Sequence, residues 1–425
     1  MLPEFQPDAE FASQMDRQDP LAPFRSQFCM SDPDSLYMDG NSLGRLPLVA
    51  SKRLREVVEQ EWGQRLVRSW GEGWWEAPRR VGDKIAALVG AAAGQVAVTD
   101  SVSIDLFKLA GAALAFQPAK TRLITDTLNF PSDLYILQGL VHGLGDRHQI
   151  IRIGSKDGDV TPDLEALARA LDKNTALVTL SHVVFKSGYL YDMAQVTQMA
   201  HQQGALVLWD LSHSAGVVPV ELDACGVDLA IGCTYKYLNG GPGAPAFLYV
   251  NKSLQEKLIS PIWGWWGQKE PFAFDLDYSP TAGIGRFLAG TQPILSLLAM
   301  EAGLQPTLEA GLGNIRRKSF LLTEYFIHLF DTYLAPLGFR LGSPRLAERR
   351  GSHVSIRHPE GYRINRALIE EMKVIPDFRD PDNIRLGLVP LYTSFAEVHE
   401  TVRRTRAVME EKRYLKYTIV RETVT

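Results

Sequence analysis

Short apolar runs alternate with amphipathic stretches through the middle of the chain. Six runs read as strands: Thr121–Asp126, Gln149–Gly154, Ala176–Val183, Gly204–Asp210, Asp228–Thr234 and Pro245–Val250. They are almost continuously apolar, the pattern of strands covered on both faces; half-exposed strands alternate instead. Helical spacing lies between them. In Val160–Leu171 the apolar residues recur at helical intervals, with Thr161 as the expected N-cap and Pro162 at the first helical position. Met193–Gly204 repeats the pattern and ends in a glycine suited to a C-terminal cap. Strands alternating with helices predict an α/β fold: three layers around a mainly parallel, mixed sheet.

Beyond about residue 310 the pattern changes. A long helical stretch, Asn314–Tyr333, precedes the strand-like segments FRLGS, HVSIRHP and IRLGLVP, with helices around Ile364–Met372 and from Ser394. This reads as a smaller α+β unit. The expected division is a large α/β domain over 60–305 and a small domain from 1–59 and 306–425, including the N-terminal segment and a connecting helix. In open α/β sheets ligands settle at the carboxyl ends of strands and in clefts between units.

Composition narrows the function classes. A chain of 425 residues has room for two domains, and 45% hydrophobic with 22% charged residues is ordinary globular usage. The formal net charge of −4 gives no basic footprint for nucleic acid. No uncharged run reaches the ~18 residues of a membrane helix. The first twenty residues are acidic and polar, without the hydrophobic core of a signal peptide. The three cysteines form no disulfide framework. A cytoplasmic protein acting on a small molecule, with neither membrane nor nucleic acid as partner, is expected. No metal is expected either, since the nine histidines show no ligand spacing. His353 and His358, an odd number apart on one expected strand, would face opposite ways.

Two segments carry candidate chemistry. Asp210 ends the apolar run GALVLWD, so its carboxylate projects at a strand's carboxyl end. Lys236 follows the run DLAIGCT in the uncharged stretch GCTYKYLNGGPGAP. A lone lysine is ordinarily a solvated loop residue. A Schiff-base lysine instead needs partial desolvation to make its amine nucleophilic. Pyridoxal phosphate requires such a lysine, an acid to keep its ring nitrogen protonated, a group stacked on the ring and donors for its phosphate. Asp210 suits the acid. His213, three residues on, would bond Asp210 or the phosphate; alone it reads equally well as a core histidine.

The segment Gly204–Gly243 resembles the fold-type I pyridoxal-phosphate enzymes of the class V aminotransferase group. Within that group the chain is similar to the kynureninase family over most of its length. The resemblance rests on MDGNSLGRLP (Met38–Pro47), NFPSDLYILQGL (Asn129–Leu140), SHVVFKSGYLYDM (Ser181–Met193), the segment Trp209–Val250, GWWGQ (Gly264–Gln268), GTQPIL (Gly290–Leu295) and RLGLVPLY (Arg385–Tyr392). It implies that Lys236 holds the cofactor and shuttles protons and that Asp210 pairs with the pyridine nitrogen. Phe130, Pro131, Ser132 and Asp133 would contact the cofactor, with Phe130 stacked on the ring. As bland alternatives, Ser132 is a natural N-cap and Asp133 suits a helix start. Val102, Ser103, Tyr235, Trp265 and Thr291 would reach the phosphate, the last two from the partner subunit of a homodimer. Arg385 would grip the substrate α-carboxylate; otherwise it is a rim arginine with its head in water. Aromatic residues within Arg68–Pro78 would meet the substrate ring. SVSIDLF and Thr291 depart from the Thr-rich turn and the Asn of some relatives, and keep hydrogen-bonding side chains.

The family reaction is cleavage of the Cβ–Cγ bond of L-kynurenine by water, giving anthranilate and L-alanine, or 3-hydroxyanthranilate from 3-hydroxykynurenine. It is a hydrolase reaction of tryptophan catabolism and NAD biosynthesis. Three rivals share the scaffold: a cysteine desulfurase or selenocysteine lyase, a class V aminotransferase, and an inactive binding protein. A desulfurase needs a cysteine on a mobile loop of the small unit, whereas all three cysteines here lie at or before Cys233. Retention of Lys236, Asp210 and Arg385 argues against an inactive fold.

Overall fold

The computed structural model describes residues 3–30, 32–418 and 420. The six expected strands of the large sheet are Arg122–Asp126, Gln149–Ile153, Thr175–Ser181, Leu206–Asp210, Leu229–Gly232 and Ala246–Val250. A seventh, Val96–Thr99, forms one edge; at four residues it is too short for periodicity to mark. Across the sheet the order is Val96–Thr99, Ala246–Val250, Leu229–Gly232, Leu206–Asp210, Thr175–Ser181, Arg122–Asp126, Gln149–Ile153. Ala246–Val250 runs antiparallel to both neighbours, and every other pair is parallel. The mixed, mainly parallel α/β sheet is as expected.

Both faces of this sheet are covered. Along Leu206–Asp210, Val207 and Trp209 enter one core with Val81 and Ile85 of helix Ala77–Leu88 and Val196 of helix Met193–Gln202. Leu206 and Leu208 enter the other with Leu106 and Leu109 of helix Val102–Phe116. With cores on both sides, successive residues must all be apolar, which explains the continuous runs.

A second, antiparallel sheet has the order Asp377–Arg379, Asn383–Gly387, His353–Arg357, Arg340–Leu341. Its core joins Leu322 and Phe326 of helix Leu312–Leu329, Leu368 of helix Gly361–Met372 and Val398 of helix Phe395–Glu410. Ala12 and Met38 belong to the same core. Leu36–Tyr37 pairs in parallel with Val374–Ile375 as a separate two-stranded sheet, tying the N-terminal segment to the chain after helix Gly361–Met372. Helix Phe395–Glu410 opens on a full capping box, Ser394 with Glu397.

Local expectations differ in two places. The helix expected to be capped by Thr161 is Leu164–Ala170, capped by Asp163, whose carboxylate accepts from Ala166 N at 2.9 Å. Thr161 and Pro162 instead close a turn against Ser155: Ser155 Oγ donates to Thr161 O at 2.8 Å, and Pro162 bridges back to Ser155. His358 lies beyond the end of strand His353–Arg357, so strand alternation does not relate it to His353.

Candidate active site

Asp210 is the last residue of its strand and the register partner of Ser181, the last residue of the next. The two side chains share the carboxyl edge of the sheet. Asp210 is 5% exposed, so its charge needs partners. Oδ1 accepts from Ser212 N at 2.9 Å and Ser212 Oγ at 2.6 Å, and Oδ2 from Ser181 Oγ at 3.4 Å. With these positions filled, His213 does not bond Asp210. Its Nε2 lies 3.3 Å from Lys236 Nζ. Burial first, then the charge of Lys236, pushes the His213 imidazole well below its ordinary pKa. The ring is therefore neutral and its Nε2 can accept from the lysine amine.

Lys236 sits in the loop after strand Leu229–Gly232. Gly44 N donates to Tyr235 O at 2.8 Å, and Asn239 N to Lys236 O at 3.0 Å. Residue 44 must be glycine, because a Cβ there would stand 2.3 Å from Lys236 O. The Tyr235 ring centre is 5.7 Å from Lys236 Nζ.

Two helices aim their N-termini at the same space. Helix Val102–Phe116 has Ser101 as N-cap without a side-chain bond, and the N–H groups of Val102 and Ser103 meet no acceptor among the described residues. Such a helix start is a ready anion site. Helix Pro131–Gly143 has Phe130, not Ser132, as its N-cap. Proline at the first position begins the helix two residues early, and Ser132 Oγ is freed to face Ser103 Oγ at 3.2 Å. Asp133 is buried; desolvation, then the Asp210 charge, pushes its carboxyl well above the usual range. Phe130 is 43% exposed and meets Phe185 edge-on at 5.2 Å.

Arg385 comes from the second sheet. At 2% exposure it is not a rim residue. Nε donates to Asp377 at 2.7 Å, Nη1 to Phe185 O at 2.6 Å, and Nη2 to Asp377 and to Ser42 Oγ. Burial would raise the Asp377 carboxyl, yet Arg385 and Arg379 hold it below the ordinary value.

These groups wall one cavity of about 350 Å³. It brings together Asp210, His213, Tyr235 and Lys236 from the large sheet's edge, Val102, Ser103, Phe130, Ser132 and Asp133 from the helix starts, and Arg385. Pro131, Trp265 and Thr291 are not on its wall. Trp265 joins an aromatic cluster in which Trp75 stacks on Trp266 at 4.3 Å, and Thr291 is exposed. Four wall residues escaped the sequence reading: Asn41, Ser42, Ser212 and Arg379. Ser181 escaped it too, because the apolar run was read on to Val183 and the strand ends at Ser181 only in the structure. None of the three cysteines is on the wall, and Cys233 Sγ packs 3.7 Å from Ser212 O. Among the described residues no cluster of potential metal ligands occurs.

Comparison with known proteins adds three findings. Residues 315–405 match the family model described as the kynureninase C-terminal domain. The chain is 46% identical over 406 residues to a kynureninase of Burkholderia pseudomallei, covering 94% of this chain and 95% of that protein. It is 44% identical over 403 residues to a kynureninase of Pseudomonas fluorescens, covering 94% of each. Among solved structures, a cysteine desulfurase of Thermococcus onnurineus superposes with TM-score 0.75 at 21% identity, over 97% of this chain and all of that one. A C-DES mutant with glycine covalently linked to its PLP cofactor gives TM-score 0.77 at 19% identity, over 90% and 98%. At such identity the structural likeness speaks for the fold alone.

Proposed function

The chain belongs to the kynureninase family, and we propose that it hydrolyses L-kynurenine, and 3-hydroxykynurenine, at the Cβ–Cγ bond with pyridoxal 5'-phosphate as cofactor. The products are L-alanine and anthranilate or 3-hydroxyanthranilate; the water supplies the hydroxyl of the new carboxyl group. The observation that carries this reading is the convergence of Asp210, Lys236 and Arg385 on one cavity from three separate parts of the chain.

The residues present fit the cofactor. Asp210, its carboxylate fixed by Ser212 and Ser181, would hold the proton on the pyridine nitrogen. The unpaired N–H groups at Val102 and Ser103, with Tyr235, would take the phosphate. Phe130 offers its exposed ring for stacking. Lys236 would carry the cofactor through Nζ. When bound, pyridoxal phosphate supplies an electron sink that stabilises negative charge on the substrate carbons next to the amine.

The remaining work falls to side chains. Arg385 holds the amino acid by its carboxylate, which fixes how the Cα–H bond is presented. Lys236 moves the Cα proton, and the neutral His213 imidazole at 3.3 Å accepts from its amine between transfers. Asp133, buried at the helix start, adds a polar edge beside Asp210.

We also infer a homodimer in which Trp265 and Thr291 reach the cavity of the second copy. Both lie off this chain's own cavity wall, and Trp265 meets the exposed Phe272, which in turn meets the exposed Phe274; the two are 68% and 79% accessible. Three free cysteines fit a reducing, cytoplasmic setting. No helix among the described residues is long and apolar enough to cross a membrane.

The test is direct. Protein supplied with pyridoxal phosphate should show the cofactor's visible absorbance and release fluorescent anthranilate on addition of L-kynurenine. Conversion of the cofactor to its amine form on adding L-kynurenine, with release of the corresponding keto acid and no anthranilate, would favour the aminotransferase reading. A desulfurase reading is disfavoured by the position of Cys233.

A further inference from the structure

Asn41 is fully buried and lies on the cavity wall, yet among the described residues neither Nδ2 nor Oδ1 has a hydrogen-bond partner. Buried amides are almost always paired, because desolvating their donors and acceptors is costly. This one is held in place by its surroundings. Residues 385 and 387 lie two apart on strand Asn383–Gly387, so they present the same face. At 387 a Cβ would stand 2.0 Å from Asn41 Oδ1. Glycine there leaves the slot that the Asn41 amide fills, on the strand face that also carries Arg385 and on the same cavity wall. The next residue, Ser42, touches Arg385 Nη2 at 3.1 Å and donates to Asp377 at 3.0 Å.

Arg385 itself is nearly saturated. Asp377, Phe185 O and Ser42 take four of its five N–H groups, and one N–H on Nη1 is left. A carboxylate brings two oxygens with about four acceptor positions. A single free N–H does not satisfy it, so a second donor at this end of the cavity is required.

We infer that the side-chain amide of Asn41 is that donor: Nδ2 binds the α-carboxylate of the amino-acid substrate together with the free edge of Arg385. The inference rests on the proposed reading that the cavity takes an α-amino acid. Asn41 is then a specificity residue for the carboxylate, and the glycine at 387 is required by the amide it accommodates.

Binding is read without turnover, from the change in cofactor absorbance when an amine displaces Lys236. Two amines are titrated into the holoenzyme, L-alanine and ethylamine, which lacks the carboxylate. Asn41→Ala should weaken L-alanine on the order of 10–100-fold, the range for losing a hydrogen bond to a charged group, and leave ethylamine unchanged. Asn41→Asp, which keeps the shape but turns the donor into an acceptor, should weaken L-alanine further. Unchanged L-alanine affinity in both variants would overturn the inference and give the amide to a bound water. Equal weakening of both amines would overturn it too, since it would mark a structural role. If the wild-type protein discriminates L-alanine from ethylamine but releases no anthranilate, the proposed reaction fails while the Asn41 assignment stands on its own titration.

Discussion

Arg385 and Asp377 are register partners on adjacent antiparallel strands, with their side chains on one face and joined through two guanidinium nitrogens. Directly opposed residues have the closest side-chain approach in a sheet. Asp377 therefore fixes the plane of the guanidinium before any substrate arrives, and Phe185 O fixes its tip from the turn that follows strand Thr175–Ser181. Arg385→Lys removes this geometry and keeps the charge. Cofactor absorbance should be retained while kcat/KM for L-kynurenine falls by about 2–4 kcal/mol, as for breaking a buried hydrogen-bonded charge pair. Steady-state kinetics showing wild-type KM would contradict the role.

Lys236→Ala should abolish both turnover and the absorbance of the lysine-bound cofactor. Lys236 is the lysine on the cavity wall, so no other amine there can take its place. A spectrum like that of the wild type in this variant would remove the assignment.

Asp210→Asn should lose much more activity than cofactor. The amide still accepts from Ser212 but no longer holds a proton on the ring nitrogen. The fall in kcat should be on the order of a hundredfold or more, as for removing a charge-stabilising group, with pyridoxal phosphate affinity changed far less. Equilibrium dialysis and kinetics on one preparation compare the two.

A pH signature comes from Asp39. Its burial, then the Asp377 charge, push its carboxyl up to about 7, against the opposing Ser42 hydrogen bond and the charges of Arg385 and Arg379. The folded state thus binds this proton more tightly than the unfolded chain, whose carboxyl titrates near 3.8. Stability from this group is full at low pH and declines as pH rises from about 4 to about 7. Asp39→Asn, which cannot ionise, should gain in melting temperature relative to wild type as pH rises from 5 to 7, with no further gain by pH 8.5. A constant difference across that range would show that Asp39 does not titrate there.

Sequence and structure agree most where one strand carries the signal. Asp210 and Lys236 each follow a continuous apolar run, and such runs end at a sheet's carboxyl edge. Arg385 was visible as a charge inside an apolar strand. Its partners were not, because Asp377 and Ser42 are 335 positions apart and meet only in the folded chain. Asn41 sits in the recognised segment MDGNSLGRLP, but a carboxamide signals nothing until its neighbours are known. The caps expected at Thr161 and Ser132 failed for a shared reason. Each stretch offered more than one residue able to start the helix, and the turn against Ser155 or the Pro131 ring decided between them.

The loop holding Asn41 and Ser42 has a consequence for how the molecule is made. Ser42 contacts Arg385 across 343 positions of chain, and Gly44 bonds the carbonyl of Tyr235. During synthesis this loop is made before Tyr235 and long before Arg385, and it waits for both partners. Contacts so distant in sequence are slow to close. The large sheet, with Asp210 and Lys236, is translated before the Arg385 strand exists. The end of the cavity that Ser42 and Arg385 line can therefore close only after the strand Asn383–Gly387 has been made.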